Sequence, residues 1–205
     1  MIKVAVVGAG GVNSWSVHWL DELNKDFLKD DVIYVKIFDG DNVEAKNIMN
    51  NNQNFKVDDL IENKADSLAK RYAFDSEPIF IDDSNLEKLK DFDYIILGVD
   101  SHKIRRMIYN YALSNEICLL DLRAQGRIMS YELVDGSKDM NYYDTKYFSN
   151  SEIMERKGSC QLESDRENNT LRCTNKVISL LGIECLLLCK LRREDLSTND
   201  WKFVY

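Results

Sequence analysis

Lys3-Val-Ala-Val-Val-Gly8-Ala-Gly10-Gly11 is the stretch that decides the fold. A short apolar run, residues 4–7, leads straight into glycines. Behind them Val12, Trp15, Trp19, Leu23 and Phe27 recur at helical spacing. That order predicts a buried strand, a tight turn and a helix N-terminus. Such a turn offers backbone N–H groups and the positive end of a helix dipole to phosphate oxygens. Gly8, Gly10 and Gly11 leave the backbone open to a ligand because no Cβ stands in the way. Where the dinucleotide fingerprint has its third glycine, this chain has Asn13.

Outward from the turn, strands and helices alternate. Residues 32–38 read as a second strand ending in Asp39-Gly40-Asp41, and residues 64–72 as a helix with Ala65, Leu68, Ala69 and Tyr72 on one face. Residues 78–81 read as a third strand, 86–89 as a short helix, 94–99 as a fourth strand, 103–113 as a helix and 117–120 as a fifth strand ending in Asp121. Strands joined by helical crossovers imply an α/β fold, a Rossmann-like, mostly parallel sheet covered on both faces. The pattern changes beyond residue 126. Residues 127–134 read as an antiparallel strand, 135–170 as a polar, tyrosine-rich irregular insert, and 175–193 as a helix apolar nearly all round. Residues 201–205 read as a final edge strand. With one proline and nine glycines, no linker divides the chain, so residues 1–205 are expected to form a single domain.

Composition narrows the class. The chain has 205 residues, 44% apolar and 30% charged, with a net charge of −8, which argues against a nucleic-acid backbone as partner. The apolar run at 177–189 is too short to span a bilayer and contains Glu184, so no membrane partner is expected. No signal peptide is recognisable, and five cysteines without an even framework suit a reducing, cytoplasmic compartment.

In open α/β sheets, ligands sit at the carboxyl ends of strands. Asp39 and Asp41, Asp100 and Asp121 are all expected there. A carboxylate ending the second strand accepts ribose hydroxyls, and one after the fourth offers a hard oxygen to Mg2+. Taken singly, each also suits a helix cap. Cys118, Cys185 and Cys189 read as small core residues, whereas Cys160 and Cys173 are better placed for exposure, the latter next to a helix start that favours a thiolate. His18 reads as a partly buried helix residue and His102 as a cap-side group.

Gly8-Ala-Gly10-Gly11, the Asp39-x-Asp41-x-Val43-x-x-x-Asn47 block, Asp59-Leu-Ile-Glu-Asn63-Lys64-Ala65 and Asp100-Ser-His-Lys-Ile-Arg105 occur in one order and spacing. The series resembles the ThiF/MoeB adenylyltransferases, relatives of the ubiquitin-activating enzymes, over residues 3–134. The resemblance implies an enzyme that uses ATP and Mg2+ to activate a carboxylate as an acyl-adenylate. The acid would be the C-terminus of a ubiquitin-like or sulfur-carrier protein, or a small carboxylate. It implies that Gly8, Gly10, Gly11, Asp39, Asp41, Asn47, Asn50, Gln53 and Lys64 surround the nucleotide and that Asp100 binds Mg2+. Lys64 and Asp100 would act in catalysis, with Cys160 or Cys173 as a thioester-forming nucleophile, in a homodimer.

Four departures accompany the resemblance. Asn50-Asn51-Asn52-Gln53 stands where the family has Arg-Gln, with Arg71, Arg105 or Arg123 as possible substitutes. The helix that precedes the first strand in the family has no counterpart. Asn13 and Ile61 replace glycines. Paired Cys-x-x-Cys motifs are absent, so no zinc is expected. The alternatives are a catalytically degenerate nucleotide-binding adaptor and an NAD-dependent oxidoreductase.

Overall fold

A strand buried on both faces has to lie inside a sheet. Ile2–Val7 (β1) does so, pairing in parallel with Ile33–Phe38 (β2) on one side and Tyr94–Leu97 (β4) on the other. The computed structural model describes residues 1–26, 32–49, 52–125, 128–136, 138–147 and 173–191. With Asp75–Glu77 (β3), Cys118–Gln125 (β5) and Ile128–Val134 (β6), the strand order is β3-β2-β1-β4-β5-β6. Every pair is parallel except β5 with β6. This is the mostly parallel, Rossmann-like sheet with an antiparallel extension that the alternating elements imply.

Side-chain alternation along β1 divides the core into two layers. Val4 and Val6 point to the layer that also holds Leu20 of Asn13–Asp26 (α1), Leu68 of Lys64–Tyr72 (α3) and Ile178, Ile183 and Leu186 of Thr174–Leu191 (α6). Ala5 and Val7 point to the opposite layer, with Ile108 and Tyr109 of His102–Ser114 (α4) and Tyr143 of Tyr142–Tyr147 (α5). A four-residue helix, Ala45–Ile48 (α2), and a 3-10 turn, Val57–Asp59, lie in the connection from β2 to α3.

Several elements differ from the sequence reading. The third strand is Asp75–Glu77, not 78–81, and it pairs with Lys36, Ile37 and Phe38. Pro78 has no N–H for the ladder and ends the strand. Of the apolar residues that follow, Ile81 is buried while Phe80 stays 59% exposed. β5 runs on to Gln125, so Asp121 lies within the strand rather than at its end. Residues 142–147 form α5 inside the stretch expected to be irregular. The expected strand at 201–205 lies outside the described residues, as do residues 148–172.

The apolar character of α6 is largely used within the chain. Gly182 lies so close to β5 that a Cβ would come within 2.5 Å of Leu122, and Trp19 Nε1 donates to Ser179 Oγ at 3.0 Å. Among its described side chains, Val177 and Leu180 remain as large exposed apolar groups. No helix among the described residues is long and apolar enough to cross a membrane.

Asn13 has a structural reason to replace glycine. Its fully buried amide donates to the carbonyls of Val7 and Ile96, both at 3.2 Å, and so ties the ends of β1 and β4 to the start of α1. The space comes from the other partner: a Cβ on Gly98 would fall 2.5 Å from Asn13 Cγ. Asn13→Ala is expected to lower stability by about 1–3 kcal/mol, through lost buried hydrogen bonds. Urea denaturation measures this, and an unchanged midpoint would show that the bridge does not matter.

Candidate functional site

The carboxyl ends of β1, β2 and β4 share one edge of the sheet, because Val7 aligns with Phe38 and with Leu97. The chain leaves β1 through Gly8, whose φ of +83° suits glycine and whose missing Cβ would meet Val99 at 2.9 Å. At Gly10 a Cβ would meet nothing within 4 Å, so the protein's own packing does not require a glycine there. The N–H groups of Gly10, Gly11 and Val12 have no acceptor among the described residues. Together with the α1 dipole they are the kind of donor set that suits an anion.

Asp39 fixes that turn from β2. Its two oxygens accept the N–H of Ala9 at 2.6 Å and of Asp41 at 2.8 Å. Burial raises its pKa above the ordinary carboxylate value, while these two N–H donors and the Lys64 charge pull it back. Asn63 then fastens the turn to α3. Its amide nitrogen donates to the carbonyls of Asp39 and Asp41, and its oxygen caps α3 through Ala65 and Asp66. This delivers Lys64 to the same edge, where its Nζ pairs with Asp41 at 2.8 Å. Asp100 follows β4, is exposed, and has no hydrogen bond or ion pair with described residues. No three His, Cys, Asp or Glu side chains among the described residues gather as a metal-ligand set. A single free carboxylate still suits Mg2+, which is commonly held by one or two carboxylates together with nucleotide phosphates.

The loop beyond Asn47 forms a wall of amides against α1. Asn47 is buried and its Oδ1 accepts the Glu44 N–H at 2.8 Å, closing α2. Asn50 lies outside the described residues. Asn54 donates to Ser14 twice, from its N–H to the hydroxyl and from its amide nitrogen to the carbonyl, and Asn175 of α6 donates to Asn52 while packing over Gly11. Between them, Gln53 keeps a buried Oε1 that has no partner among the described residues. Sequence reasoning assigned no role to Asn63 or Asn175. The only prior signal was the position of Asn63 immediately before Lys64. Ile61, the other glycine replacement, holds a strained φ of 68° with its side chain 85% exposed.

The ThiF family model matches residues 1–189. The chain belongs to the ThiF family. Over 118 residues it is 30% identical to a NEDD8-activating enzyme E1 catalytic subunit from Arabidopsis thaliana, covering 54% of this chain and 24% of that protein. Among solved structures it resembles E. coli MccB with succinimide, with a TM-score of 0.70 at 16% identity over 100% of this chain and 62% of that one. E. coli MccB with AMPCPP and MccA superimposes with a TM-score of 0.68 at 18% identity and the same coverage. PaaA gives 0.66 at 16% identity over 95% of this chain and 57% of that one. This ThiF chain thus spans about a quarter of the plant subunit and about three-fifths of the solved structures.

The three arginines considered as substitutes for the ThiF arginine are engaged elsewhere. Arg71 pairs with Asp59 and donates to the Asn54 carbonyl. Arg105 pairs with Asp121 and donates to the Leu122 carbonyl. Arg123 pairs with Asp121 at 2.7 Å and lies 3.8 Å from the Tyr147 ring centroid. Asp121 is therefore a buried anchor for two guanidiniums, not a carboxylate at the strand end. Beside it, Glu132 accepts from Tyr109, Tyr142, Lys146 and Tyr147, joining α4, α5 and β6.

The thiols separate by exposure. Cys118 and Cys185 are half-buried. Cys173 is exposed and its carbonyl accepts the Val177 N–H, so it caps α6 two residues before Asn175. Cys160 and the side chain of Cys189 lie outside the described residues. His18 packs among Trp19, Tyr72 and Trp15, as its position in the first helix suggested.

His102 links the cluster to the site, since it opens α4 two residues after Asp100 and its Nδ1 lies 2.9 Å from the Tyr143 hydroxyl. Burial, then Arg123 and Arg105, hold its pKa below the ordinary 6.5. Below 6.5 the unfolded chain takes up the proton first, so stability falls as pH drops toward the folded-state value. Wild type is expected to lose stability between about pH 7.5 and 5.5 that His102→Gln retains. Urea midpoints at the two pH values test this, and equal losses would contradict it.

Proposed function

We propose that this chain binds ATP with Mg2+ at the shared edge of β1, β2 and β4 and activates a carboxylate as an acyl-adenylate. One observation carries the reading. A glycine turn whose N–H groups have no acceptor among the described residues, a carboxylate suited to ribose and a lysine held at the same edge come from three separate segments of a ThiF-family chain. The glycine turn receives the phosphates and Asp39 the ribose hydroxyls. Lys64 exchanges its bond to Asp41 for the phosphate oxygens where charge develops. An oxygen of the acid attacks the α-phosphorus, the bond from that phosphorus to the bridging oxygen breaks, and pyrophosphate leaves. Asp100 would hold Mg2+, which when bound would supply charge neutralisation at the departing phosphates.

Two relatives suggest the class of acid. MccB was crystallised with ATP, and with AMPCPP together with MccA, while the plant relative is named for activating NEDD8. We assign the acyl substrate to the C-terminal carboxylate of a small protein or peptide, of ubiquitin-like or sulfur-carrier type, with a small carboxylate as alternative. Cys173 is our candidate for taking the acyl group as a thioester, with Cys160 as the other thiol; a homodimer is part of the same proposal. A second reading, a nucleotide-binding adaptor, is favoured by the internal pairing of Arg71, Arg105 and Arg123.

ATP–pyrophosphate exchange in the presence of candidate acyl substrates separates the two readings, because only an enzyme incorporates labelled pyrophosphate into ATP. Lys64→Ala is expected to weaken ATP·Mg2+ binding at least about tenfold, roughly 1.4 kcal/mol. Asp100→Ala is expected to abolish the gain in affinity from Mg2+. Calorimetry reads both, and unchanged affinity in both variants would count against the site.

A further inference from the structure

Phe80 is an aromatic side chain that the fold holds at the surface. It is 59% exposed and has no aromatic or cationic partner among the described residues. Phe38 and Phe92, by contrast, are buried against each other. Yet Phe80 sits on a fixed loop. Asn85 donates to its carbonyl at 2.9 Å and accepts the Asp82 N–H, Ser84 N–H donates to the Asp82 carboxylate, and the neighbouring Ile81 is buried. Its ring abuts Gly40, the residue between Asp39 and Asp41. A Cβ at position 40 would fall 2.5, 2.6 and 2.9 Å from three of the ring carbons.

Sheet order says what lies over this ring. The glycine turn and Asp100 follow β1 and β4, Asp39 follows β2, and Phe80 follows β3, which is the next strand outward. A nucleotide with its phosphates at the turn and its ribose at Asp39 extends its base past β2 toward β3. We propose that Phe80 is the stacking platform for that base; this rests on the nucleotide reading above. The exposed ring loses water contact when a base covers it, and every base offers a π-face, so the contact accepts any base but favours the larger overlap of a purine. Gly40 contributes by lacking the Cβ that would push the ring away from the ribose turn.

Calorimetry on the full chain with ATP·Mg2+, CTP·Mg2+ and inorganic tripolyphosphate·Mg2+ tests the proposal. Phe80→Ala is expected to weaken ATP about tenfold, the order of one lost base–aromatic stack. It should weaken CTP less and leave tripolyphosphate unchanged, so the preference for ATP over CTP shrinks. Phe80→Leu, which keeps apolar cover over Gly40 without a π-face, should behave like alanine, and Phe80→Tyr like wild type; thermal unfolding of each variant verifies folding. Equal ATP affinity in wild type, Phe80→Ala and Phe80→Leu would overturn the platform while leaving the nucleotide site standing. So would a parallel loss of tripolyphosphate binding. Failure of the wild-type chain to bind ATP would overturn the nucleotide reading and the platform with it.

Discussion

The carboxylate of Asp39 joins two turns that the chain forms thirty residues apart. One oxygen holds the N–H of Ala9 in the turn after β1, and the other holds the N–H of Asp41 in the turn after β2. Burial works against that charge, and the two N–H donors with the Lys64 ammonium offset it. Everything else at the edge depends on this junction. Asn63 is fastened to the carbonyls of Asp39 and Asp41, α3 starts from Asn63, and Lys64 is the first residue of α3. A lysine otherwise free to sample solvent is thereby held at one place on the sheet.

Much of the fold was legible because hydrophobic period and punctuation agreed. The apolar run before Gly8, the alternation of residues 32–38 and the helical spacing at 64–72 each specify one structure. The third strand was not legible. The apolar cluster at 79–81 outscored the polar Asp75–Glu77, and only the missing N–H of Pro78 argued otherwise. A three-residue edge strand needs little apolar character, so periodicity does not detect it.

For the candidate site, strand ends could be read from sequence, which places Asp39, Asp41 and Asp100 at one edge. Partners could not. Asp121 occurs in a sequence context much like that of Asp100, yet it is buried between Arg105 and Arg123, while Asp100 is exposed and has no partner among the described residues. The difference comes from β5 running on to Gln125, which carries Asp121 into the sheet. Asn175 lies more than a hundred residues from the Asn52 it binds, a separation no local pattern reports. Replacement of glycine was also misleading as a sign of loss. Asn13 gains space from Gly98 and becomes a bridge, whereas Ile61 retains the left-handed backbone and its strain.

We propose that this edge holds a nucleoside triphosphate with its ribose at Asp39 and its phosphates between the glycine turn and Lys64. A crystal structure of the chain with ATP and Mg2+ tests it most directly. Ribose hydroxyls are expected on the Asp39 carboxylate, phosphate oxygens on the N–H groups of Gly10 and Gly11, and Lys64 Nζ moved from Asp41 to the phosphates. A nucleotide bound elsewhere, or one lying here with Lys64 still paired to Asp41 and no phosphate at the turn, would contradict it.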